Sequence, residues 1–123
     1  QPPEEESLPP LPGIDTQFGL SITANHVGIY RRALIAFYDS KLNFEGEFRT
    51  AMVEGDQELI TRQAHSLKGT AATLGIKGVQ AAAERLEMAC REGEGDIEKL
   101  LSVVLEQLQQ VLHSLQALKT TQP

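Results

Sequence analysis

The amino-acid sequence predicts an all-α fold, an antiparallel four-helix bundle with a short extra N-terminal helix. Three observations support this prediction. Apolar residues recur every three or four positions from about residue 14 to residue 118, a stretch without proline. The same stretch lacks the apolar–polar alternation that is typical of strands. With two Tyr, four Phe and no Trp, the core must consist mainly of aliphatic side chains, which suits helices packed on helices.

The first thirteen residues, QPPEEESLPPLPG, differ in composition from the rest of the chain. They hold five of the six prolines and three consecutive glutamates. Such a segment is not expected to form a helix or to bury an apolar face, so we predict an acidic, proline-rich linker over residues 1–13. The domain itself is predicted over residues 14–119, followed by a disordered tail at residues 120–123. We expect the chain to be a cytosolic part of a longer polypeptide.

Capping residues and glycines predict where the first helices begin and end. A short turn of helix is expected near Asp15–Leu20, and a longer helix after Asn25, a residue type that often caps helix N-termini. The next helical stretch, which is either continuous with it or bent near Asn43, ends at Gly55. The apolar faces of these two stretches comprise Ile29, Tyr30, Ala33, Leu34, Phe37, Phe44, Phe48 and Met52.

Three further helices complete the predicted bundle. Asp56 is expected to cap a helix that runs to about Leu74 and stops at Gly75. Another helix is predicted over Lys77–Glu92, and Asp96 is expected to cap the last one. Their inward faces comprise Val79, Ala82, Ala83, Leu86, Cys90, Ile97, Leu101, Val104, Leu108, Leu112 and Leu115.

Charge and composition exclude several classes of function. With 17 acidic and 11 basic residues, the net charge of −6 argues against nucleic-acid binding and direct membrane contact. No apolar run approaches the roughly 18–20 residues of a membrane span. Cys90, the single cysteine, cannot form an intramolecular disulfide and is expected to be a buried apolar residue. His26 and His113 are expected to be incidental, and the scattered histidines predict no metal site.

The segment QAHSLKGTAATLG, residues 63–75, carries the candidate functional residues. On a helical wheel His65 lies about 140° from the core direction and therefore points to solvent, with Lys68 and Gly69 one turn further on. Glycine inside a helix costs about 1 kcal/mol relative to alanine, so Gly69 suggests a surface kept clear for a partner. Ala64 and Ala72 have small side chains and are expected to leave the surface around the imidazole accessible to a partner. The core direction is defined by Ile60, Ala64, Leu67, Ala71 and Leu74.

An exposed imidazole with a nearby cation and a cleared surface suits a phosphoryl group carried as a phosphoramidate. Neutral imidazole is a nucleophile near physiological pH, and phosphoryl transfer requires mainly in-line positioning and compensating cations. Each feature alone also has an ordinary explanation, as an incidental surface histidine, a tightly packed glycine or a surface lysine. From the residues alone, a non-phosphorylated helical scaffold or interaction domain therefore remains the alternative.

The stretch AHSLKGTAATLG, followed by AAAERLEMACREGEGD, resembles the signature of histidine phosphotransfer (HPt) domains. The segments LPGIDTQFGL and EFRTAMVEGDQELITRQ resemble the lead-in to such domains at the C-terminus of bacterial hybrid sensor histidine kinases. The resemblance covers roughly residues 11–96. It implies a phosphocarrier without its own nucleotide site, rather than an enzyme, that accepts a phosphoryl group from a receiver-domain aspartyl phosphate. It further implies that the group then passes to the receiver of a response regulator.

The resemblance also implies roles for individual residues. His65 would be phosphorylated at Nε2, Lys68 would offset the phosphoryl charge, and Gly69 would permit the receiver's approach. Glu87 stands where many members carry a Gln that hydrogen-bonds the histidine ring. As a carboxylate it would accept from Nδ1–H, although a solvated helix glutamate is the other interpretation. Two further cations are expected at the edge of the docking surface, Arg62 and Lys77.

The expected partners are receiver domains, those of the parent kinase and of a response regulator. No cofactor is expected in this chain, because Mg²⁺ would be supplied by the receiver. We expect a monomer in the cytoplasm, at the cytosolic end of an inner-membrane sensor kinase. A related alternative is the phosphotransfer domain of a chemotaxis kinase, which takes phosphate directly from an attached ATP-binding domain. The lead-in sequence argues against it.

Overall fold

The computed structural model describes residues 8–120 and contains no strand among them, which confirms the all-α prediction. Residues 1–7 and 121–123, which belong to the predicted linker and tail, lie outside the described residues. The helices are α1 (Thr16–Ile22), α2 (Val27–Lys41), α3 (Phe44–Val53), α4 (Gln57–Leu74), α5 (Lys77–Glu92) and α6 (Ile97–Thr120).

The six helices form the predicted four-helix bundle, in which α2 and α3 are the two parts of a broken first helix. The contact between α4 and α5 is the most extensive, and α6 packs on α5 and α2. α3 packs on α4, and the short α1 lies against α4 and α2. The helix is interrupted near Asn43, so α2 and α3 are two separate helices rather than one continuous helix.

Local signals set the ends of the helices around the site. Asp56 caps α4 by accepting a hydrogen bond from the amide of Leu59 at 3.0 Å, and Asp96 caps α6 in the same way. Gly75 ends α4 with φ +81°, a left-handed conformation. A Cβ atom there would lie 2.3 Å from the carbonyl oxygen of Asp15, so this position requires glycine on two grounds.

Two details of α2 differ from the prediction. Asn25 does not cap the helix, because Ala24 and Asn25 both adopt left-handed backbone angles in a turn and His26 occupies the N-cap position. Ile29 is 47% exposed, because α2 turns its neighbour Tyr30 into the core instead. The buried hydroxyl of Tyr30 donates a hydrogen bond of 2.6 Å to the carbonyl oxygen of Leu74.

The segment before α1 packs on the bundle more closely than predicted. Leu11 is buried, Leu8 packs partly against the core, and the hydroxyl of Ser114 donates to the carbonyl oxygen of Pro12. The expectation that this segment buries no apolar face is therefore wrong for Leu11. The hydrogen bond between Ser114 and Pro12 shows that this segment lies against α6, and residues 8–11 adopt no helix there. The boundary between linker and domain stays a prediction.

The core is mainly aliphatic, as the composition predicts. Cys90 is buried among apolar residues, and the inward residues predicted for α5 and α6 are buried except for the half-buried Ile97. His26 and His113 are both exposed. Within residues 8–120 no helix is both long enough and apolar enough to span a bilayer.

Candidate functional site

α4 presents its candidate residues on the outward face. The side chain of His65 is 62% exposed, and Gly69 is exposed one turn further along. A Cβ atom built on Gly69 meets no atom within 4 Å, so nothing in the packing requires glycine there. Ala72 belongs to this surface, whereas Ala64 is fully buried and does not shape it. The residues that the wheel assigns to the core are all buried, namely Ile60, Ala64, Leu67, Ala71 and Leu74.

Glu87 on α5 lies behind the exposed imidazole. It is 1% exposed and is the single buried charged residue within the described part of the chain. Its Oε2 atom lies 2.8 Å from Nδ1 of His65, and Arg91, one turn along α5, binds the same oxygen. Its Oε1 atom lies 2.8 Å from Nζ of Lys68, with which it forms an ion pair. The interpretation of Glu87 as a solvated helix glutamate is therefore wrong.

The partners of Glu87 keep it ionised despite its burial. Burial alone raises the pKa of this carboxyl, but interactions with Lys68, His65 and Arg91 outweigh it and lower the pKa from 4.5 to about 2. The carboxylate therefore accepts a hydrogen bond from Nδ1–H of His65. In the neutral ring this contact assigns the proton to Nδ1, so Nε2 carries no hydrogen and keeps its lone pair.

Cations border the imidazole on both sides along α4. Lys68 follows it by three residues, and Arg62 precedes it by three and pairs with Glu58 at 3.4 Å. A groove of about 590 Å³ opens beside the ring, lined by Gln57, Glu58, Thr61, Arg62, His65 and Arg91. Each of the two arginines in this lining is paired with a carboxylate, Arg62 with Glu58 and Arg91 with the buried Glu87, so the groove beside the imidazole is polar and its charges are largely balanced.

Two cations differ from the sequence prediction. Lys77 pairs with Asp15 at 3.0 Å and lies at the opposite end of α4 from the groove. Arg91 is absent from the residues that the sequence predicts for the site, yet it binds the same carboxylate as the imidazole. Its spacing of four residues from Glu87 on one helix is the signal that indicates this pair. In the described part of the chain, no group of three His, Cys, Asp or Glu residues could hold a metal ion.

Comparison with protein families supports the inference from geometry. The Hpt domain family model matches residues 34–120, well over half of the chain, and this match includes α4, α5 and α6. Comparison with curated proteins finds no match, and neither does comparison with solved structures. Hpt domains are helical bundles that act as phosphocarriers in two-component signalling, with receiver domains as partners. The chain therefore belongs to the family of histidine phosphotransfer domains.

Proposed function

We propose that His65 carries the phosphoryl group on Nε2 and relays it from the receiver of a hybrid sensor kinase to the receiver of a response regulator. The observation that carries this proposal is the exposed imidazole whose Nδ1 is held by a buried carboxylate. Gly69 supports it, because a glycine without a packing reason beside that ring fits the close approach of a partner. By resemblance, we place the parent kinase at the inner membrane and this domain, as a monomer, in the cytoplasm.

The proposed reaction uses the lone pair of Nε2. It attacks the phosphorus of an aspartyl phosphate, and the N–P bond forms while the P–O bond to the aspartate breaks and its electron pair leaves with the carboxylate. The proton on Nδ1 stays in place. The phosphorylated ring is then a cation beside the carboxylate of Glu87, which stabilises it in this partly solvated site. Attack by the aspartate of a second receiver reverses these steps.

Lys68 and Gly69 have distinct roles in this proposal. Lys68 and the imidazole meet at the same carboxylate, so a rotation of the lysine side chain brings its ammonium to the oxygens of a phosphoryl group on Nε2. The phosphoryl group carries two negative charges, so it attracts the ammonium of Lys68 more strongly than the single charge of Glu87 does. Gly69 leaves space above the helix for the receiver that delivers the group.

The test is incubation of the chain with a phosphorylated receiver domain and Mg²⁺, followed by intact-mass analysis. We expect one phosphoryl group that is labile in acid and stable in base on the wild type, and none on His65→Gln. His113→Gln, which removes an exposed histidine from α6, is the matched control and should be labelled like the wild type. Absence of label from several receivers on a folded protein would support a non-phosphorylated scaffold, and label on His65→Gln would contradict the assignment of the site.

A further inference from the structure

Glu87 has one more cationic partner than the orientation of His65 requires. A single hydrogen bond fixes the ring, and a single cation balances the carboxylate. Both Lys68 and Arg91 nevertheless contact this buried group, Lys68 at Oε1 and Arg91 at Oε2. The two cations come from different helices, Lys68 from the helix of the imidazole and Arg91 from that of the carboxylate.

Under the proposed function, on which this inference rests, phosphorylation changes the demand on these cations. The phosphoryl group adds negative charge at Nε2, and Lys68 cannot pair fully with that group and with Glu87 at once. Until the N–P bond has formed, the imidazole is neutral and Lys68 would be the only cation on Glu87 in a site without Arg91. A buried carboxylate that loses its only cation is strongly destabilised, so such a site would hold Lys68 back during transfer and slow it. Arg91 removes that conflict, because it stays on the carboxylate when Lys68 leaves.

We propose that Arg91 is a positioning residue that keeps Glu87 paired so that Lys68 can move from Glu87 to the phosphoryl group on His65. The geometry of each contact suits this exchange. Arg91 pairs with Glu87 across one turn of α5, an arrangement independent of α4. Lys68 lies on α4 one turn from His65, so the same side chain that contacts Oε1 of Glu87 is also within reach of a group on the imidazole.

The inference is tested by the rate of phosphoryl transfer from a phosphorylated receiver to the full chain. Arg91→Ala should slow transfer about fivefold to tenfold, because Lys68 is then retained by Glu87. Arg91→Lys should restore the rate to within about twofold of wild type, since a lysine four residues on still pairs with the carboxylate. Arg85→Ala removes an exposed arginine from the same helix, about 200° around it from Glu87, and should leave the rate unchanged.

A double-mutant cycle separates this role from direct contact between Arg91 and the phosphoryl group. In Glu87→Gln no buried carboxylate exists, so adding Arg91→Ala should change the rate by less than about twofold. An equal loss in both backgrounds would overturn the inference, and so would a wild-type rate for Arg91→Ala alone. Either result leaves phosphorylation of His65 intact, whereas a wild-type chain that accepts no phosphoryl group would refute the proposed function and this role with it. Circular dichroism of each variant, with Arg91→Gln as a second neutral replacement, verifies folding.

Discussion

Glu87→Gln should remove a pH dependence of stability that the wild-type fold shows in acid. Burial opposes ionisation of Glu87, but Lys68, His65 and Arg91 outweigh it and lower its pKa from 4.5 to about 2. Because the folded-state pKa is the lower one, the stabilisation is complete above about pH 4.5 and is lost as the pH falls towards 2. At about 1.4 kcal/mol per pKa unit this difference amounts to about 3 kcal/mol, which solvent screening of the partly exposed cations reduces to about 2 kcal/mol.

The assay is urea unfolding followed by circular dichroism at several pH values between about 6 and about 2.5. The free energy of unfolding of the wild type, minus that of Glu87→Gln, should fall by about 2 kcal/mol across this range. Glu84→Gln is the matched control, since it removes an exposed carboxylate from the same helix without touching the cluster. Parallel pH curves for the wild type and Glu87→Gln would refute the reasoning, because they would mean that the cations do not hold this carboxylate in the folded state.

Two further substitutions separate docking from stability. Gly69→Leu should leave the free energy of unfolding unchanged or raise it by up to about 1 kcal/mol, because its Cβ meets no atom and leucine favours helix, while transfer from a receiver slows. An unchanged transfer rate would show that receivers do not approach over this face. Tyr30→Phe loses the hydrogen bond to the carbonyl of Leu74 and should lower the free energy of unfolding by about 1–2 kcal/mol, with normal phosphorylation. A free energy of unfolding equal to that of the wild type would contradict the assigned hydrogen bond.

Most helix boundaries could be predicted because their signals are local. Asp56 and Gly75 bound α4 through their own side chain and backbone conformation, which residue type alone indicates. Asn25 misleads because asparagine favours both helix caps and left-handed turns, and the turn occurs here. Ile29 is predicted on the buried face but is exposed, because the packing of neighbouring helices determines which face of α2 is buried. The burial of Leu11 depends likewise on tertiary packing, since the adjacent Pro12 is held by Ser114 of α6, which the sequence of residues 1–13 does not reveal.

The site shows the same division between local and tertiary information. The exposure of His65 follows from the spacing of apolar residues on one helix, and the structure agrees with it. Its contact with Glu87 depends on how α4 and α5 align, so the sequence suggested it through family resemblance alone. The sequence does not predict the burial of Glu87, because a carboxylate is rarely buried without partners, and Lys68 and His65 become its partners only when α4 packs on α5. The role of Arg91 follows from that burial.

The two-residue connection between α4 and α5 makes the separation of His65 and Glu87 a fixed interval of 22 positions in the sequence. Inserting or deleting one residue within either helix between them would turn one side chain by about 100° around its helix axis and part the imidazole from the carboxylate. The connection between α5 and α6 lies outside this interval. In related sequences, insertions and deletions should therefore be tolerated after Glu92 and be rare between His65 and Glu87.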